Sequence, residues 1–324
     1  MCKVISLLFL LWVSFFSYAN DIIEFNFHNI PIRFSNAVIV NEYSTRIPFK
    51  LVDRLIVIEG SIKNKKGDFI IDTGSETMIL NKVHFKIHPY LREKKTKTSG
   101  ILSMVDNPLE KTIKSLSIKN LTLENRNSDI IDLSHIEKSK KMKLLGIIGF
   151  NILKDYEVFI DLYLNQITLT KIDKSGNTLG KDVYLEKIVD SLDFKLKKHT
   201  IVIDGFIGKE NVRFGLDSGA EFNQINRKIN KRALKHFYPK QRVKLSGASG
   251  KKIEVLYGNL FRVNLSKTIY FGPMKTILTS LHNMNKAFGT NLDGVLGYDF
   301  FAQKRVIINY QKQKLYFIKY PLLR

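Results

Sequence analysis

Apolar residues along this chain come in short runs broken by Gly, Asn, Asp and Lys, the rhythm of strands joined by tight turns rather than of long helices. The runs beginning at Leu55 and at Thr200 each lead into a polar turn, Lys63 to Gly67 and Gly208 to Asn211. Each turn closes a hairpin onto a second apolar run. Val158 to Lys171 and Val306 to Lys319 both read as strand, polar turn, strand. Helical periodicity is sparse. Its best stretch is Asn226 to Phe237, which puts Ile229, Ala233 and Leu234 on one face. The predicted class is mainly β, with a few short helices decorating the sheets.

The strand pattern is also a repeat. Leu55 to Ser75 aligns without a gap on Thr200 to Ala220, an offset of 145 residues. Under that offset Ile56, Val57, Ile58, Gly60, Ile62, Phe69 and Gly74 meet identical residues, and Asp72 meets Asp217. A second pair follows at an offset of 148, Leu145-Gly-Ile-Ile-Gly149 with Asp293-Gly-Val-Leu-Gly297. The duplication predicts two similar lobes related by a pseudo-twofold. A strand extension is expected over residues 20–54, an N-terminal lobe over 55–172, a polar junction over 173–181 and a C-terminal lobe over 182–324.

Asp72-Thr73-Gly74-Ser75 and Asp217-Ser218-Gly219-Ala220 each place a carboxylate at the end of an apolar strand. A small hydroxyl residue follows, then a glycine that lets the backbone turn with no side chain in the way. One copy is an ordinary strand exit. Two copies in register, related by a pseudo-twofold, bring the loops face to face. Carboxylates held in contact share a proton, which supplies one acid and one base without metal or covalent intermediate.

On these motifs, and on Ile147-Ile148-Gly149 and Val295-Leu296-Gly297, the chain resembles the pepsin/retropepsin group of aspartic peptidases, in its bacterial retropepsin-like branch. The resemblance runs from about Ile47 to Lys319. It implies a bilobal fold of two acid-protease-type β-barrel lobes. Asp72 and Asp217 would be catalytic, and Thr73 and Ser218 would brace the loops across the pseudo-dyad, with Gly74 and Gly219 permitting close approach. The hydrophobic-hydrophobic-Gly segments would thread beside the loops. It also implies a hairpin flap, for which Ser99 and Gly100 or Gly247 and Gly250 are the candidate tips; neither carries the flap tyrosine of pepsin-like enzymes at an assignable position. At the fourth loop position, Ser75 offers a hydroxyl that can support the charge of Asp72, whereas Ala220 cannot do so for Asp217. Asp72 is therefore expected to be the more acidic.

The first 19 residues, a basic start, an apolar stretch from Val4 to Phe16 and a small-residue end at Ala19, read as a signal peptide. A periplasmic or secreted protein without a stable membrane anchor is expected. The single cysteine, Cys2, lies in that leader, which excludes cysteine catalysis and disulfides from the remainder. Net charge is +22, but the lysines are scattered among strand-like segments, so a solvated basic surface is expected and nucleic acid is not. Of the seven histidines, His84 and His88 are four apart, but no Glu stands between them and Pro89 follows. No metal or cofactor is expected. The partner is a peptide or protein substrate, and the protein a monomer whose halves form an internal pseudo-dimer. The rival reading is a catalytically inactive peptide- or envelope-binding protein on the same fold.

Overall fold

The computed structural model describes residues 39–85, 98–100, 103–105, 109–180, 187–246 and 252–320. The leader at residues 1–19, His88 and the candidate flap positions Gly247 and Gly250 lie outside them. The described residues are mainly β, with five short helices.

A first sheet runs in the order Lys50–Val52, Leu55–Ile62, Lys65–Ile71, Leu144–Ile148, Met78–Asn81, Leu121–Ile131, Leu109–Ile118. The last strand pairs back onto the second. Leu144–Ile148 lies parallel to Lys65–Ile71 and antiparallel to Met78–Asn81, so it is enclosed on both edges. That explains its composition: all five of its residues are buried, as in a strand covered on both faces. The first hairpin turns in two residues, because Ile62 pairs with Lys65, and Lys63 takes a left-handed φ of 54°. Its repeat partner Gly208 has φ 64°, and a Cβ there would lie 2.2 Å from the His236 ring, so the approach of that ring is what a side chain at this turn would meet.

The second sheet repeats the order with Lys195–Lys197, Thr200–Ile207, Glu210–Leu216, Gly294–Leu296, Asn223–Asn226, Met274–Thr279 and Lys252–Leu260. It then continues one strand further, to Phe237–Ser246. The helices obey the repeat as well. Ser134–Lys140 and Phe150–Leu153 recur 148 residues on, at His282–Phe288 and Tyr298–Gln303. The helix expected over Asn226 to Phe237 is much shorter, Lys231–Leu234. Asn226 is the last residue of one strand and Phe237 the first of the next, so sheet pairing takes both ends. Asn230 caps what is left by accepting from the Arg232 N–H at 2.8 Å. Ile229 and Ala233 are buried as the periodicity required.

A third sheet draws on both halves, in the order Ile39–Asn41, Ser44–Pro48, Gln166–Lys171, Tyr156–Asp161, Arg305–Asn309, Lys314–Ile318, Ile188–Asp193. At its centre the register sets Phe159 opposite Ile307. These two are also repeat equivalents, so the local twofold passes between them. Their strands carry a buried ion pair. Arg305 Nη2 donates to Asp161 Oδ2 at 2.6 Å, with side-chain exposures of only 1% and 0%.

Candidate active site

Asp72 and Asp217 each follow the last residue of a strand buried at its end, Lys65–Ile71 and Glu210–Leu216. The two loops clasp each other by a reciprocal pattern. The Thr73 N–H donates to Ser218 Oγ at 3.0 Å and the Ser218 N–H to Thr73 Oγ1 at 2.9 Å. Each hydroxyl then donates onward into the opposite strand, Ser218 Oγ to Ile71 O at 2.8 Å and Thr73 Oγ1 to Leu216 O at 3.4 Å. Both hydroxyls are buried, and each both accepts and donates.

The glycines set the distance between the carboxylates. A Cβ on Gly74 would stand 2.5 Å from Asp217 Cγ, and one on Gly219 would stand 2.5 Å from Asp72 Cγ. Each carboxylate therefore lies against the other loop's backbone, which brings the two acids near enough for the charge of one to oppose ionisation of the other. Their surroundings differ. Asp72 Oδ1 accepts from the N–H groups of Gly74 and Ser75, at 2.8 and 3.0 Å. Asp217 Oδ1 accepts from Gly219 N–H at 2.8 Å, while the Ala220 N–H goes to the Asp217 main-chain oxygen. Burial raises the pKa of both. Asp217 is raised well above the ordinary range, because the charge of Asp72 adds to its burial, whereas hydrogen bonds to Asp72 oppose the effect there.

Asp72 thus has more main-chain support for its charge than Asp217, but none of it comes from the Ser75 hydroxyl. Ser75 Oγ donates to Thr77 O at 3.1 Å, and the support comes from the Ser75 backbone N–H. Replacing Ser75 with Ala, which keeps that N–H, is expected to leave the acid limb of a pH–rate profile unmoved; a shift would restore the hydroxyl to the site.

Behind each loop runs its hydrophobic-hydrophobic-Gly segment. Ile147 and Ile148 lie in the strand alongside Ile70 and Ile71, and Val295 and Leu296 alongside Gly215 and Leu216. Ile148 O accepts from Asp72 N–H and Leu296 O from Asp217 N–H, both at 3.0 Å. Gly149 and Gly297 then pass so close to the loop that a Cβ would fall 2.6 Å from Ser75 O and 2.4 Å from Ala220 O. Gly149→Ala is expected to cost about 1–3 kcal/mol of stability, because the atoms in the way are backbone and cannot turn aside; denaturant unfolding measures it.

Among solved structures, the chain is similar to the aspartic proteinase from Irpex lacteus, with a TM-score of 0.52 and 11% identity, covering 85% of this chain and 97% of that one. The fold is that of an aspartic proteinase. No family model matches the sequence, and no curated protein matches it.

Within the aspartic proteinase fold, the first candidate flap falls on a described hairpin, and the second lies outside the described residues. Ser99 and Gly100 lie in Thr98–Gly100, which pairs with Ser103–Val105. His84 is held by Glu137, its Nε2 2.8 Å from the carboxylate.

Two residues that sequence reasoning passed over stand close to the dyad. His199 is 1% exposed, with its ring edge-on to Phe288 at 4.8 Å and Nδ1 3.9 Å from the Glu76 carboxylate. Burial holds its pKa below the ordinary range. Its signal was present in the repeat, where His199 occupies the place of Arg54 at the 145-residue offset. Tyr310 is buried with its ring edge-on to Phe150 at 5.3 Å, and its hydroxyl is pushed upward by burial and then by the charges of Asp72 and Asp217. Nothing in the sequence marks it, since its repeat partner is Leu162.

Proposed function

We propose that the chain is an aspartic endopeptidase of the retropepsin-like kind, exported after loss of residues 1–19. The observation that carries this reading is the juxtaposition of two buried carboxylates from equivalent loops, unequal in that Asp72 accepts two main-chain N–H groups and Asp217 one. That inequality assigns the roles. Charged Asp72 takes a proton from a water lying between the carboxylates, and the hydroxide so formed attacks the peptide carbonyl carbon. Neutral Asp217 gives its proton to the carbonyl oxygen. Collapse of the resulting gem-diol returns a proton to Asp217 and breaks the C–N bond, while Asp72 delivers its proton to the departing amine. Water is consumed, an acid and an amine are released, and both carboxylates end as they began.

The same inequality fixes the pH profile. Activity falls as pH drops through the Asp72 value, which burial places above the ordinary aspartate value of about 3.9. It falls again as pH rises through the Asp217 value, where the proton donor is lost. A bell with its acid limb above that ordinary value is expected in kcat/KM. Incubating the purified protein and its Asp72→Asn variant with a diverse peptide library across pH tests the reading. Cleavage by the parent alone supports it; no cleavage at any pH, or equal cleavage by both, leaves the inactive binding protein as the better account.

A further inference from the structure

The strand Phe237–Ser246 stands at the edge of the second sheet and pairs on one side only among the described residues. Its beginning lines a cavity of about 670 Å³, through Tyr238, Pro239 and Lys240. A second cavity of about 810 Å³ adjoins it and shares Lys235, His236, Arg262 and Phe271. Together they form one open groove at the end of the lobe remote from the dyad. The turn at Gly208–Lys209 opens into it, and Asp217 lies beyond the seven-residue strand Glu210–Leu216, roughly 23 Å away at 3.3 Å per residue.

The groove is strongly cationic. Lys209, Arg232, Lys235, Lys240, Arg262 and Lys267 converge on it from a hairpin turn, a helix, the edge strand and the Arg262–Lys267 loop. One carboxylate, Glu210, is among the lining residues, and Arg232 lies 3.8 Å from it. The other five cations carry no carboxylate partner among the described residues. Two tyrosines stand out into solvent beside them, Tyr238 at 57% and Tyr270 at 69% exposure. Charge on an edge strand can serve merely to prevent sheet-to-sheet association. That accounts for Lys240 but not for cations gathered from three other elements around a concavity.

We infer that this groove is an exosite for an extended acidic polypeptide segment, held by its carboxylates and by main-chain hydrogen bonds to the edge of Phe237–Ser246 that no described strand covers. The open edge is what selects polypeptide over other polyanions. A peptide can complete a strand ladder, which a polysaccharide or a nucleic acid cannot. Arg232 and Arg262 suit bidentate carboxylate recognition. Resting on the peptidase reading, the occupant is part of the substrate, an acidic stretch about seven extended residues from the bond to be cut.

Fluorescence anisotropy of a short labelled peptide alternating Glu and Ser, with the Asp72→Asn protein at physiological ionic strength, tests the site without requiring turnover. Binding is expected, weakened about tenfold or more by Lys235→Glu with Arg262→Glu. The exposed pair Lys209→Glu and Lys267→Glu should weaken it likewise, which guards against a folding defect in the first variant. Reversing Lys114 and Lys312, away from the groove, should leave it unchanged. Absence of binding, equal binding by the groove variants, or displacement by an oligonucleotide or sulfated polysaccharide as effective as displacement by the peptide itself overturns the inference. Should the parent protein cleave no peptide while the anisotropy results hold, the peptidase reading fails and the exosite stands.

Discussion

Replacing Asp217 with Asn is expected to lower kcat/KM for peptide hydrolysis by about a thousandfold or more and, at neutral pH, to raise the melting temperature. The first effect follows from loss of the proton donor. The second follows from linkage. The folded-state pKa of Asp217 lies well above its unfolded value, because burial and the charge of Asp72 oppose its ionisation. Between the two values the folded state binds the extra proton, so stability is fully present below the unfolded value and drains away as pH rises through the folded one. Asn carries no charge to be buried, and its side-chain oxygen can still accept from Gly219 N–H. The stability gain should shrink as the pH is lowered toward the unfolded value. A variant that is inactive but less stable than the parent at neutral pH would show that the carboxylate is structurally supported rather than strained. One that keeps its activity would remove Asp217 from the mechanism.

Arg305→Met is expected to destabilise the fold by about 3–5 kcal/mol, because it leaves the Asp161 carboxylate charged and enclosed. Neither partner has access to water that might replace the other. Arg305 also donates to Lys319 O at 2.6 Å, while Asp161 Oδ1 accepts from the N–H groups of Tyr163 and Leu164, so both are committed beyond the pair. The double variant Asp161→Asn with Arg305→Met should recover a large part of the loss. Asn can keep the turn bonds, and an uncharged pair has no desolvation debt. Chemical denaturation of the two single variants and the double variant gives the coupling directly. Independent, additive effects would mean that the ion pair contributes no energy of its own.

The sheet architecture was legible because the repeat was. Residues enclosed on both faces, such as Phe69-Ile70-Ile71 and Leu144 to Ile148, must all be apolar, and that shows in the sequence as uninterrupted runs. The loop glycines were legible for the same reason, since each leaves a space that only hydrogen fits. Less could be read where the partner comes from far along the chain. The third sheet joins Tyr156–Asp161 to Arg305–Asn309, and neither hairpin declares which strand will flank it. The role given to Ser75 missed because its hydroxyl had a carbonyl, Thr77 O, within reach and the backbone N–H was better aimed at Asp72. Asn226 to Phe237 showed helical spacing, yet the ends were claimed by strands, where tertiary pairing outweighs a short amphipathic pattern.

The twofold through Phe159 and Ile307 relates halves that are covalently one chain, and this bears on how such a site can vary. In an assembly of two identical chains, every substitution arrives twice, once on each side of the axis. Here each side mutates alone. His199 faces the first half's Glu76, whereas at the mirrored position Arg54 lies over the Phe222 ring at 4.5 Å and Lys140 holds Glu221. Ser75 and Ala220 have parted in the same way. Fusion keeps the second half at high effective concentration, so neither interface need be strong enough to recruit a free partner. Freed from that demand, the two sides of one axis can specialise, one carboxylate toward holding charge and the other toward holding a proton.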